Sequence, residues 1–85
     1  MKSFTHKKRF GIVSYDIITS PEITPQAKAL YSTLACYANK ERICYPSIAR
    51  LADELNISVR TVDRLIKELK IKGCIKRIGR KIQIK

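Results

Sequence analysis

The sequence is short of the residues that metal sites and disulfide scaffolds require. Among its 85 residues there is no tryptophan, one histidine and three cysteines. The cysteines, Cys36, Cys44 and Cys74, are far apart and form no Cys-x-x-Cys pair, and His6 lies in a run of charged residues. This pattern fits neither a zinc site nor a disulfide framework. We therefore expect no metal and no disulfide, and we expect the thiols to be reduced and mostly packed.

The sequence also lacks the residue sets of an active site. It has no Ser/His/Asp set and no glycine-rich phosphate loop. Asp53 and Glu54 are adjacent, so on a helix they project about 100° apart and cannot form an opposed acid and base pair. A chain of this length buries roughly 60–65% of its unfolded surface, which leaves little room for a deep pocket. We expect one binding domain that is not an enzyme, with no cofactor and no small-molecule substrate.

Long apolar runs are absent as well. Residues 1–10 contain no hydrophobic segment of a secretory signal, and no run approaches the ~18 apolar residues of a membrane span. We expect a cytoplasmic protein with no membrane partner.

Acidic residues are scarce, and the basic excess is concentrated at the two ends of the chain. Eighteen Lys and Arg residues oppose seven Asp and Glu, for a net charge of +11. Residues 1–9 contribute +4, residues 10–59 contribute −1 and residues 60–85 contribute +8. Charge that only kept the protein soluble would be spread more evenly. The segregation predicts a polyanionic partner. We expect residues 1–9 to be a flexible basic tail that precedes one folded domain over residues 10–85.

The stretch Pro46–Leu69 predicts two short amphipathic helices joined by a tight turn. Apolar residues recur at helical spacing in both halves: Ile48, Leu51, Ala52 and Leu55, then Val62, Leu65, Ile66 and Leu69. Asn56 suits the left-handed corner, and Ser58 suits the N-cap of the second helix. Small Ala52 allows the helices to cross closely, and the outer face of the second helix is cationic. These features are typical of a helix-turn-helix.

An earlier helix is predicted from Pro25 to about Ala38, with Thr24 as its N-cap. The side of this helix opposite its core face is small and nearly uncharged: Ala29, Ser32, Thr33 and Cys36. Either a partner subunit, in a homodimer, or the chain's own N-terminal part covers this face. We expect a short strand at Phe10–Val13 and a polar connection over residues 40–45. We expect Tyr31, Tyr37 and Tyr45 to be core aromatics with their hydroxyls at the rim.

The end of the chain predicts a β-hairpin. Gly73 is placed to end the second helix of the pair. Apolar and basic residues then alternate over residues 74–78 and 81–85, on either side of Gly79 and Arg80. A two-residue loop would place Ile75, Ile82 and Ile84 on one face. A three-residue loop would instead group Ile78, Ile82 and Ile84.

These residues together resemble a known family. The segment from Tyr15 to Arg77 is similar to the winged helix-turn-helix domain of phage and plasmid replication initiators and related bacterial transcription regulators. The residues that carry the resemblance are Ala27, Lys28 and Leu30, then Tyr45, Pro46, Ser47, Leu51 and Ala52, then Ser58, Arg60, Thr61, Val62, Leu65 and Leu69, and last Gly73 and Ile75. The fold expected is mainly α with a small β-hairpin, in which a three-helix core carries a C-terminal wing.

The expected function is sequence-specific binding to double-stranded DNA, in transcription regulation or replication initiation. The expected contacts are Ser58, Arg60, Thr61, Arg64 and Lys67 on a recognition helix over about residues 58–70, and Lys76, Arg77, Arg80 and Lys81 on the wing. The alternative is a winged-helix assembly module with only non-specific affinity for nucleic acid.

Overall fold

Residues 10–85 form four helices and one small antiparallel sheet. The computed structural model describes residues 10–85, so the predicted flexible tail over residues 1–9 lies outside the described residues. The helices are α1 (Tyr15–Ile18), α2 (Pro25–Tyr37), α3 (Ile48–Leu55) and α4 (Val59–Ile71). The strands are β1 (Ile43–Cys44), β2 (Ile75–Ile78) and β3 (Lys81–Ile84).

Helix α2 is the central element of the core. The Thr24 hydroxyl accepts a hydrogen bond from the Ala27 amide at 3.3 Å, and Pro25 occupies the first helical position, where its missing N–H costs nothing. Its buried side contacts α3, α4 and the sheet. The largest side chains of this shared core include Leu30, Tyr31, Leu34, Leu51, Leu65, Leu69 and Ile82.

The turn between α3 and α4 has the predicted construction. Asn56 adopts the left-handed conformation, with φ 59° and ψ 44°. The Ile57 amide then donates to the Ala52 carbonyl at 2.9 Å, which satisfies one of the free carbonyls at the end of α3. Ser58 caps α4 by accepting from the Thr61 amide at 3.1 Å. Ala52 is only 6% exposed, so the small residue does lie in the core that α3 and α4 share.

Gly73 ends α4 and directs the chain into the wing. Its φ is +78°, a conformation that costs glycine little. The Gly73 amide donates to Lys70 at 3.0 Å and the Cys74 amide donates to Leu69 at 2.9 Å, the paired bonds of a Schellman motif. Strand β2 therefore begins directly beneath the C-terminus of α4.

The wing has the two-residue loop. Arg77 pairs with Ile82 and Ile78 pairs with Lys81, which leaves Gly79 and Arg80 as the loop. Gly79 has a φ of +60° and Arg80 does not have a positive φ, as a type II′ turn requires. The buried residues of the core-facing side are Ile75, Ile82 and Ile84, whereas Ile78 is 60% exposed.

A third strand corrects the prediction of a plain connection over residues 40–45. Ile43 pairs with Gln83 and Cys44 pairs with Ile82, so the strand order is β1-β3-β2. The Asn39 side chain accepts from the Glu41 and Ile43 amides at 3.0 Å, which shapes the turn before β1. A strand of two residues is too short for its sequence to show a period.

The predicted strand at Phe10–Val13 is wrong, because these residues are irregular. They are held instead by side chains of the domain. The Arg42 guanidinium donates to the Ile12 carbonyl, and the Ser14 amide donates to the Tyr31 hydroxyl at 3.0 Å. Gly11 lies so close to α2 that a Cβ there would be 2.6 Å from the backbone of Ala35. The segment therefore covers part of the small face of α2.

Candidate nucleic-acid interface

Helix α4 presents one charged face to solvent. Its opposite side is fixed in the core by Val62, Leu65, Ile66 and Leu69, which are all almost fully buried. The exposed side forms a shallow, open groove of about 460 Å³. We call this surface the reading face, and it consists of Val59, Arg60, Asp63, Arg64 and Lys67. The burial of one side thus dictates that three cations and one carboxylate project outward together.

Ser58 and Thr61 form the start of α4. Their hydroxyl oxygens are 2.8 Å apart, in addition to the capping bond between the Ser58 hydroxyl and the Thr61 amide. Ser58 is exposed and Thr61 is half-buried. Their hydroxyl groups are therefore engaged with each other, beside the exposed side chain of Arg60.

Two polar contacts join α4 to the first residues of α2 and its N-cap, beside the apolar core that the two helices share. Arg64 donates to the Gln26 side chain at 3.5 Å. The carboxylate of Glu68 accepts from the Thr24 amide at 3.0 Å and lies 3.1–3.2 Å from the Thr24 hydroxyl. These pairs are about 40 residues apart in sequence, and no local pattern could have identified them.

The wing places its four basic residues on both sides of the hairpin. Arg77 pairs with the buried Ile82 and is itself half-buried on the core-facing side. Its Nε donates to the Gly79 carbonyl at 3.2 Å, which leaves its two terminal nitrogens for another partner. Lys76 and Arg80 are exposed, and Lys81 is half-buried.

A cleft of about 610 Å³ lies between the wing and the start of α3. It is lined by Tyr45, Pro46, Ser47, Ile48, Arg77, Arg80 and Ile82, with no acidic side chain among them. The prediction that Tyr45 is a core aromatic is wrong, because its side chain is 69% exposed. Sequence reasoning missed Tyr45 as a surface residue. The proline that follows it was the available signal, since it keeps the chain extended and outside α3.

The basic residues of these surfaces are not neutralised within the described part of the chain. The ion pair between Arg50 and Glu54, at 3.4 Å, is the only one in residues 10–85. The pKa of Arg50 is raised, and the main cause is its hydrogen bond to Glu54. The basic residues of the reading face and the wing are therefore not in ion pairs with other residues of this range.

The buried cysteines have the chemistry of packed thiols. Burial raises the pKa of Cys44 to about 11, and burial is also the main cause of the raised pKa of Cys74. Both thiols are thus protonated at neutral pH. A cysteine that acts as a nucleophile or a metal ligand has to be a thiolate. Within residues 10–85 there is no group of His, Cys, Asp and Glu that could hold a metal ion.

The small face of α2 is divided between covered and open residues. Cys36 is half-buried, next to the backbone of Gly11, whereas Ala29 is exposed. The hydroxyls of Ser32 and Thr33 donate to carbonyls of their own helix, at 2.9 and 3.0 Å. Of these four residues only Ala29 is exposed, and the two hydroxyls are already hydrogen-bonded within α2.

Comparison with known proteins agrees with this geometry. A family model described as a helix-turn-helix domain matches residues 22–75, which is 54 of the 85 residues and runs from just before α2 to the start of β2. No curated protein and no solved structure gives a significant match. None of the helices in residues 10–85 has the length and apolar character needed to cross a membrane. With its helix-turn-helix and wing, the chain belongs to the helix-turn-helix domain family.

Proposed function

We propose that this protein binds specific sequences of double-stranded DNA by inserting α4 into the major groove. The observation that carries the proposal is the reading face, where Arg60, Arg64 and Lys67 project together from a helix whose other side is locked in the core. An α-helix fits the major groove, and the arginine fork matches the two acceptors of guanine.

The wing holds the DNA backbone beside the helix in this proposal. Arg77 and Arg80 line the same cleft, and Lys81 lies next to them at the tip. Cations on a hairpin tip are suited to phosphate, which fixes orientation but carries no sequence information. The family match supports DNA binding. The basic wing and the preference for particular sequences are our extension of it.

We further propose that the protein acts by binding alone, without catalysis, on cytoplasmic DNA. Its role is to regulate transcription or to initiate replication, and which of these applies depends on what the bound protein recruits. The alternative role, an assembly module, would not need a charge of +8 in the last 26 residues.

Selection from a random duplex pool is the first test. The wild-type protein should enrich a defined motif. Replacing Arg60 or Arg64 with Ala should then cost about 1–3 kcal/mol on that motif and relax the preference at particular base pairs, with little loss on random DNA. The paired substitution of Arg80 and Lys81 with Ala should weaken binding to every duplex by a similar factor.

The comparison is informative because both sets of variants remove cations from one molecule. If the α4 variants lost equal affinity for the motif and for random DNA, the helix would contact only the DNA backbone. Weak binding with no enriched motif would favour the assembly module.

We also propose that a second copy of the chain packs on the open part of the small α2 face. Residues 10–59, which include α2, carry a net charge of only −1, so two molecules of charge +11 repel each other less through this segment than through residues 60–85, which carry +8. Ala29→Glu should shift sedimentation from dimer to monomer. Ala49→Glu, at an exposed alanine of α3, is the control. An unchanged mass for Ala29→Glu would leave the N-terminal segment as the only cover of this face.

A further inference from the structure

Asp63 is the only acidic residue of the reading face. It lies three residues after Arg60 and four before Lys67, so helical spacing places all three on one side of α4. The side chain is exposed and lines the same groove as the cations. Within residues 10–85, no Lys or Arg nitrogen lies within 4 Å of its carboxylate oxygens, since the ion pair between Arg50 and Glu54 is the only one in that range.

A carboxylate in this position works against simple attachment to DNA. Phosphates repel it, and at a separation of about 7 Å in water one such pair of like charges is worth roughly a threefold change in affinity. The neighbouring cations do not neutralise it by close pairing. A surface that served only to hold the backbone would bind better without Asp63, so its place in the reading face calls for a partner that donates hydrogen bonds.

We propose that Asp63 reads a cytosine in the major groove by accepting a hydrogen bond from its N4 amine. This inference rests on the proposed function, because it requires α4 to enter the groove. An ionised carboxylate only accepts hydrogen bonds. Guanine and thymine present acceptor oxygens there, which repel it, and adenine presents an acceptor nitrogen beside its amine. Cytosine itself presents only the N4 amine donor at this edge.

The test compares three variants with the wild-type protein by selection from random duplexes and by titration. In Asp63→Ala, the preference for cytosine at one base pair should fall about tenfold, and binding to random duplex should become about threefold tighter. Asp63→Asn should move the preference at that base pair towards adenine, since an amide matches the donor and acceptor of adenine. Asp53→Ala is the matched control, because it removes one exposed carboxylate from α3. It should leave every base preference unchanged.

The outcomes separate the two proposals. A wild-type protein that enriches no motif refutes the proposed function and this inference with it. A motif that Asp63→Ala retains in full refutes only the reading of cytosine by Asp63, as does a loss of preference that Asp53→Ala reproduces. Thermal melting serves as the folding control, since Asp63 is exposed and alanine favours a helix interior.

Discussion

Replacing Glu68 with Ala should destabilise the domain by separating α4 from the start of α2. The half-buried carboxylate accepts from the Thr24 amide at 3.0 Å and binds the Thr24 hydroxyl, which in turn caps α2. Hydrogen bonds to a charged group contribute about 1.5–3 kcal/mol, and a carboxylate at a helix N-terminus adds about 0.3–1 kcal/mol. Because Thr24 is exposed, we take the lower part of this range and expect a loss of about 2 kcal/mol.

Urea and thermal denaturation followed by circular dichroism measure this loss. For a domain of this size, about 2 kcal/mol corresponds to a fall in Tm of roughly 8–16 °C. Glu22→Ala is the matched control, since Glu22 is an exposed acidic residue two positions before Thr24 and its carboxylate is not hydrogen-bonded to Thr24. A loss below about 0.5 kcal/mol for Glu68→Ala, or an equal loss in the control, would refute the reasoning.

Three further predictions concern charge, packing and the thiols. If five or six cations of the reading face and wing each neutralise one phosphate, the log-log slope of affinity against salt should be about −4.5 to −5.4, and a flat titration would contradict this. Ala52→Leu should cost on the order of 1–3 kcal/mol in thermal melts, because Ala52 is buried between α3 and α4; wild-type stability would show that the site has spare room. In the native protein at pH 8, Cys36 should be alkylated before Cys44 and Cys74, whose raised pKa values and burial keep the reactive thiolate scarce, and mass spectrometry should detect the order. Equal rates at the three cysteines would contradict it.

The features that follow from local chemistry were predictable from the sequence. Thr24 with Pro25 identified the start of α2, and Asn56 with Ser58 identified the corner of the helix-turn-helix. Gly73 identified the end of α4. Each of these residues satisfies or redirects backbone groups within a few positions of itself, so its role is visible in a short window of sequence.

The features that depend on distant partners were not predictable. Strand β1 exists because Ile43 and Cys44 pair with residues about 40 positions later. The sequence allowed two registers for the wing, and the structure has the one that buries Ile75 with Ile82 and Ile84. That choice depends on the core beneath the sheet, which alternation alone does not describe.

The candidate interface also has parts that the sequence predicts and parts that depend on distant residues. The cationic side of α4 followed from the apolar spacing of the helix, because the buried residues leave only one side for the charged ones. The cleft beside Tyr45 could not be predicted from the sequence, since it forms where the wing meets α3. The irregular path of residues 10–13 also depends on a distant side chain, that of Arg42.

The position of β3 between two other strands limits how much order the wing would have to gain in binding DNA as proposed. Ile82 and Gln83 pair with β1 as well as with β2, and the Ile84 amide donates to the Arg42 carbonyl at 2.8 Å. Residues 78–81 extend beyond this double pairing. Fixing the backbone of one residue costs about 1–2 kcal/mol in conformational entropy. Under the proposed function, association with DNA would therefore immobilise only the few residues of the tip, and most of the attraction contributed by the wing cations would remain as affinity.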